Sequence, residues 1–188
     1  MKTIGSVVVA ALLYATVRYN GFKGVAWGEW PTYVVNKAAA LSALLLIAIF
    51  LVRRRSRDDA PESLLRAARG LIALHAVLSL ALLGPASFPK YFIEGKPTAS
   101  VAWSLLLAAL AATGALAMSR RGDARVTGGR LAGLGVLAFV AGLHAALLGY
   151  DGGLAPSTWP GYMVPITVIA FIAGTVGLLA GARAARSG

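Results

Sequence analysis

Two histidines, His75 and His144, are the only members of their type in this chain. Each lies in a long apolar run, RGLIALHAVLSL for His75 and VLAFVAGLHAALLGY for His144. A neutral imidazole nitrogen binds transition metals, including haem iron. Ionisable side chains inside a membrane are costly and therefore indicate function. No Asp or Glu accompanies either histidine at helical spacing, which argues against a proton relay or a carboxylate-supported zinc site.

The composition indicates that lipid surrounds most of the chain. Of 188 residues, 58% are hydrophobic and only 13% are charged, against about 25% charged residues in soluble domains. A chain this apolar is neither disordered nor an ordinary soluble domain. Because it contains no cysteine, disulfides, Cys-ligated iron–sulfur clusters, thiolate-bound zinc and covalent CxxCH haem attachment are excluded.

The apolar residues form six runs that are separated by short polar breaks. Most are near the ~20 residues that an α-helix needs to cross ~30 Å of hydrocarbon. We therefore predict an all-α fold, an integral membrane bundle of six transmembrane helices that forms one domain over residues 1–188. The predicted helices cover residues 4–19, 33–52, 64–83, 100–118, 131–150 and 161–182.

Basic residues are distributed unequally between the two sides of such a bundle. Thirteen of the 18 Lys and Arg residues fall on one side: Lys2, Arg53, Arg54, Arg55, Arg57, Arg66, Arg69, Arg120, Arg121, Arg125, Arg130, Arg183 and Arg186. The positive-inside rule then predicts cytoplasmic termini in a multi-pass protein of the inner (plasma) membrane. Topology and anionic headgroups account for the net charge of +11, so we expect no nucleic-acid partner.

The two histidines are predicted to lie at one depth in the membrane. His75 follows Ser63 by 12 residues, about 18 Å of helix, and His144 follows Arg130 by 14, about 21 Å. Both helices run outward in this topology, so both imidazoles lie nearer the outer face. This arrangement suits the two axial ligands of one b-type haem. The alternative is two unrelated histidines, each hydrogen-bonded to neighbouring backbone or serine.

The chain resembles the ferric reductase-like transmembrane domain family, whose members include the haem-bearing subunit of the methionine sulfoxide reductase system. The resemblance rests on LLRAARGLIALHAVLSLALLGPASFPKYFIEGKPTAS and on GRLAGLGVLAFVAGLHAALLGY. It implies a six-helix bundle in which His75 and His144 are one haem-ligating pair. Family members with a second haem carry inner histidines; here those positions are Leu131 and a site near Pro61. We therefore expect one haem b rather than two.

The sequence thus predicts a membrane cytochrome that passes single electrons between a quinol, or a partner redox protein, and an acceptor at the outer face. No Gly-rich dinucleotide motif follows a strand, so the chain would be the electron-transfer subunit of an oxidoreductase. Candidate cations for the haem propionates are Arg18, Lys23, Lys90 and Lys96.

Two other classes of function stay open at this point. One is a non-enzymatic accessory subunit of a larger photosynthetic or respiratory membrane complex, in which the histidines ligate pigment or nothing. The other is a transporter, since Asn36 and Lys37 are polar residues in the second run. Lys37 lies close enough to the outer end of that run to reach the interface.

Overall fold

Six α-helices, in the order of the predicted runs, make up most of the fold in this computed structural model, which describes residues 2–56, 60–120 and 128–186. The helices are α1 (Lys2–Thr16), α2 (Val35–Arg55), α3 (Ser63–Leu82), α4 (Ala99–Arg120), α5 (Gly128–Gly153) and α6 (Ile166–Arg186). The all-α prediction is confirmed. Of the basic residues used to predict topology, Arg57, Arg121 and Arg125 lie outside the described residues.

Among the described residues, four helical segments are long and apolar enough to cross a membrane. They are Trp27–Arg55, Ser63–Leu82, Gly128–Tyr150 and Pro160–Arg186, and Ala99–Gly114 is a shorter apolar helix. Apolar length in four segments supports a membrane protein.

The connections from α1 to α2 and from α3 to α4 contain local structure that the six-run pattern did not predict. A π-helical turn, Val17–Phe22, extends α1, and a second one, Trp30–Val34, leads into α2. After α3, the strands β1 (Phe92–Ile93) and β2 (Lys96–Pro97) pair antiparallel. Glu94 and Gly95 join them with φ angles of 49° and 75°, as the tight two-residue hairpin turn requires. The six predicted runs leave residues 84–99 without a predicted element, and the hairpin lies there.

The most buried element is α2, which packs against α1, α3, α5 and α6. Side chains around Phe50 form the inner part of the core, together with Leu46, Leu51, Leu64 and Leu131. The remaining helices are arranged around α2, which explains why its polar residues Asn36 and Ser42 are each only 1% exposed.

Close contact between α5 and α6 depends on glycine. A Cβ atom at Gly174 would lie 2.6 Å from the carbonyl oxygen of Ala138, and one at Gly181 would lie 2.6 Å from that of Leu131. Small residues let helix backbones approach in this way in membrane proteins. The spacing of Gly174, Gly177 and Gly181 in α6 is typical of such close packing.

α3 is attached to the bundle along only part of its surface. It packs along α2, and its buried residues, Leu64, Leu65 and Ala68, all lie in its first turns. In the part of the chain that the structure describes, α3 does not pack closely along α4 or α5. A gap therefore separates the second half of α3 from α5.

Candidate functional site

His75 and His144 face each other across the gap between α3 and α5. Their ring centroids are 6.4 Å apart, and the ring planes are inclined by 66°. Both side chains are half-buried. The structure therefore brings together the two residues that the sequence places at one depth.

His75 is oriented by a side chain of α2. Its Nδ1 lies 2.6 Å from Oδ1 of Asn36. Because an amide oxygen only accepts hydrogen bonds, Nδ1 carries the hydrogen and donates it. The hydroxyl of Ser79 donates to the same Oδ1 at 3.2 Å. Nε2 of His75 is then the unprotonated nitrogen, with its lone pair available to a metal.

His144 is oriented by a residue of α4. Its Nδ1 lies 2.8 Å from the carbonyl oxygen of Ser104 and 2.6 Å from the hydroxyl oxygen of that residue. A carbonyl oxygen accepts only, so Nδ1 again is the donor. Ser104 is 1% exposed, which fixes it firmly beside the ring. His144 therefore also keeps the lone pair of Nε2 for a ligand.

Such partners are typical of metal-ligating histidines. Ligating imidazoles usually donate their second ring N–H to a carbonyl or carboxylate group, which fixes the tautomer and the ring orientation. Here the acceptors are two neutral oxygens, the side-chain amide oxygen of Asn36 and the backbone carbonyl oxygen of Ser104. Ordinary buried histidines also form hydrogen bonds, so the distance between the two rings is the second observation to compare with a metal site.

The ring separation fits one metal ion between two axial imidazoles. Metal–imidazole bonds of about 2.0–2.1 Å, with about 1.2 Å from each nitrogen to its ring centroid, place the centroids of two trans imidazoles about 6.4–6.6 Å apart. The observed separation of 6.4 Å agrees with this value. Rotation about each metal–nitrogen bond leaves the angle between the ring planes free.

The number of possible protein ligands indicates what kind of metal group the site could bind. No group of three or more His, Cys, Asp or Glu residues able to hold a metal ion occurs among residues 2–56, 60–120 and 128–186. A bare ion with two protein ligands would be under-coordinated, because structural and catalytic zinc sites use three or four. A metal that arrives with its own equatorial ligands, as haem iron does, fits a pair of histidines.

Aromatic residues cover the outer end of the site. Phe88, in the connection between α3 and α4, packs with its ring centroid 5.5 Å from that of Tyr33. The hydroxyl of Tyr91 donates to the carbonyl oxygen of Leu148 at 2.8 Å, one turn beyond His144. The connection therefore bridges from α2 to α5 over the gap.

Lys37 is a functional candidate that the sequence analysis interpreted as an interfacial anchor. Its Nζ lies 5.3 Å from the ring centroid of Tyr33 and 5.0 Å from that of Phe88. It also lies close enough to both His75 and His144 to act on them electrostatically. The signal in the sequence was the polar pair of Asn36 and Lys37 inside an apolar run.

The cations predicted to neutralise haem propionates are placed differently from one another. Arg18 is only 6% exposed and donates to the carbonyl oxygen of Met163, so it holds the loop before α6. Lys23 lies over the ring of Tyr19 at 5.4 Å. Lys96 is exposed in β2, and the side chain of Lys90 lies outside the described residues. Lys37, which is not among these four candidates, lies near both histidines.

Comparison with known proteins gives no relative from which to transfer a function: no family model, curated protein or solved structure matches this chain. The resemblance to the ferric reductase-like family therefore stays a prediction that rests on the two Leu-His motifs. The geometry of the histidine pair is independent of that resemblance.

Proposed function

We propose that this protein is an integral membrane b-type cytochrome in which His75 and His144 are the axial ligands of one haem. The observation that carries the proposal is the ring separation of 6.4 Å, together with hydrogen bonds that occupy Nδ1 of both rings. Histidines that ligate two separate pigments need not lie at the ring separation expected for two imidazoles on one metal ion.

The bundle that we propose has six transmembrane helices and lies in the inner (plasma) membrane of the cell. Both of its termini are in the cytoplasm. Support comes from the four long apolar segments and from the basic residues, 13 of 18 on one side. Cations are retained on the cytoplasmic side during insertion. This orientation places the histidine pair near the outer leaflet.

The chain's own residues would bind, orient and shield the cofactor. His75 and His144 would hold the haem iron through Nε2, while Asn36 and Ser104 accept from Nδ1 and keep the rings in the tautomer that this requires. The helices that carry the two histidines are apolar, and Leu71 of α3 and Leu147 of α5 are partly buried beside them. When bound, haem supplies one-electron chemistry, and burial and nearby charge tune its potential.

The proposed path of electrons uses the outer position that the positive-inside rule predicts for the histidine pair. We propose a quinol or a partner redox protein as donor and an outer-face protein or small molecule as acceptor. In this reading the chain is the electron-transfer subunit of an oxidoreductase.

Visible spectroscopy of the purified full chain tests the proposal. A reduced-minus-oxidised spectrum should show a low-spin b-type haem, and pyridine haemochrome analysis should give about one equivalent per polypeptide. Two equivalents would require a second site with other ligands. A purified chain that neither contains haem nor binds added haemin would contradict the proposal and favour the accessory-subunit function.

A further inference from the structure

A groove on the lipid-facing surface between α2 and α6 is separate from the histidine pair. Leu45, Ala48, Ile49, Val52 and Arg53 line it from α2, and Ile169, Ile172, Ala173 and Val176 line it from α6. Its volume is about 410 Å³, within the range of about 300–1,000 Å³ that is typical of ligand sites.

The shape of the groove follows from the sizes of its side chains. Ala48 and Ala173 are buried and form the floor, while Val52, Ile172 and Val176 are 39%, 55% and 42% exposed and form the rims. Lining positions recur three and four residues apart on both helices, so the groove runs along the helix axes. It is therefore an elongated channel between two rows of branched side chains.

The single charged residue of the lining lies at one end. Leu45 and Arg53 are eight residues apart, about 12 Å along α2. That length is close to the ~15 Å thickness of one hydrocarbon leaflet. Arg53 begins the basic run that ends α2, so the charged end of the groove is level with the headgroups and its apolar end lies near the bilayer midplane.

We propose that this groove binds one anionic phospholipid. An acyl chain lies along the alanine floor, and the guanidinium of Arg53 pairs with the headgroup phosphate. Arginine is suited to this role because its planar fork of N–H donors matches phosphate oxygens. The proposal needs only that Trp27–Arg55 spans the membrane, and it does not depend on the haem.

Arg54 provides a matched control for Arg53. It carries the same charge one residue further on, but its guanidinium lies over the ring of Phe50, 5.6 Å from the centroid, and it is not part of the groove. Arg53→Gln and Arg54→Gln therefore change the net charge equally, and only the first removes a charge from the site.

Native mass spectrometry of the full chain in detergent, with equimolar phosphatidylglycerol and phosphatidylcholine, tests the proposal. We expect one retained phosphatidylglycerol, with its occupancy lowered about fivefold by Arg53→Gln and unchanged by Arg54→Gln. Ala173→Leu should fill the groove and displace the lipid, whereas Ala109→Leu on the exposed surface of α4 should not.

Two results would overturn the proposal. Equal retention of both lipids by the unaltered protein would mean that the groove does not select an anionic headgroup. An equal loss of phosphatidylglycerol in Arg53→Gln and Arg54→Gln would mean diffuse attraction to the basic face rather than a site. Circular dichroism of each variant checks that its helices are intact.

Discussion

At the scale of single residues, the tautomers of the two histidines are set by oxygens from helices that carry no ligand. Asn36 on α2 and Ser104 on α4 accept from Nδ1 of His75 and His144. Hydrogen-bond partners of this kind keep a ligating ring oriented and raise its basicity. The proposed haem site therefore extends over four helices, although its ligands come from two.

Substitution of Asn36 should lower the haem affinity more than substitution of Ser104. Asn36→Leu removes the only acceptor that the structure gives to Nδ1 of His75 besides the hydroxyl of Ser79. We expect haem affinity to fall about 10–100-fold, as for other second partners of metal-binding histidines. Ser104→Ala keeps the backbone carbonyl and should change the affinity much less. Haem transfer to apomyoglobin measures both, and equal losses would contradict this assignment.

Lys37 should raise the reduction potential of the proposed haem. A positive charge near the histidine pair stabilises the iron state that has gained an electron. Lys37→Met should therefore lower the midpoint potential, and Lys37→Arg should leave it near the original value. A spectroelectrochemical titration measures the change, and an unchanged or raised potential in Lys37→Met would show that the charge does not act on the iron.

At the scale of helices and loops, the length of the apolar runs predicts where helices form. It does not predict how the connections between the helices fold. The predicted run over residues 33–52 and the helix Val35–Arg55 overlap closely because both follow from continuous apolar side chains. The hairpin and the π-helical turns depend on packing among the outer loops. Apolar periodicity carries no information about them.

For the candidate site, too, the sequence predicts one part and not the other. The spacing of His75 and His144 along their helices predicts a common depth, and in the structure their ring centroids lie 6.4 Å apart. The roles of Asn36 and Ser104 depend on how α2 and α4 are rotated about their axes. That rotation is decided by packing across the whole bundle, so the local sequence does not reveal it.

The interface between α5 and α6 should tolerate no side chain at Gly174. A Cβ there would meet the Ala138 carbonyl oxygen at 2.6 Å, so Gly174→Leu forces the helices apart. Overpacking of this kind typically costs about 1–3 kcal/mol of stability. Gly70→Leu is the control, because nothing lies within 4 Å of a Cβ at Gly70. Thermal unfolding in detergent should show a lower midpoint for the first variant and not for the second.

At the scale of the whole molecule, charge and packing divide the protein into two ends. Basic residues collect at one end, including the last turns of α2 and α6. The aromatic residues near the histidine pair lie towards the other end. With the basic end in the cytoplasm, as we propose, the haem lies on the side of an outer electron acceptor.

The orientation can be measured with fusion reporters. Because 13 of 18 basic residues lie on one side, a reporter after Gly188 should read as cytoplasmic. A reporter inserted between Glu94 and Gly95, at the exposed hairpin tip, should read as external. The same readout at both positions would contradict the six-span arrangement, and exchanged readouts would place the histidine pair near the inner leaflet.

The low-spin spectrum of histidine variants tests the central claim most directly. Two imidazoles that share one iron form a single site, so their losses cannot add. Either His75→Ala or His144→Ala should abolish the six-coordinate low-spin haem spectrum, and the double variant should resemble the single ones. A low-spin spectrum that persists unchanged in either single variant would show that the two histidines do not ligate one haem.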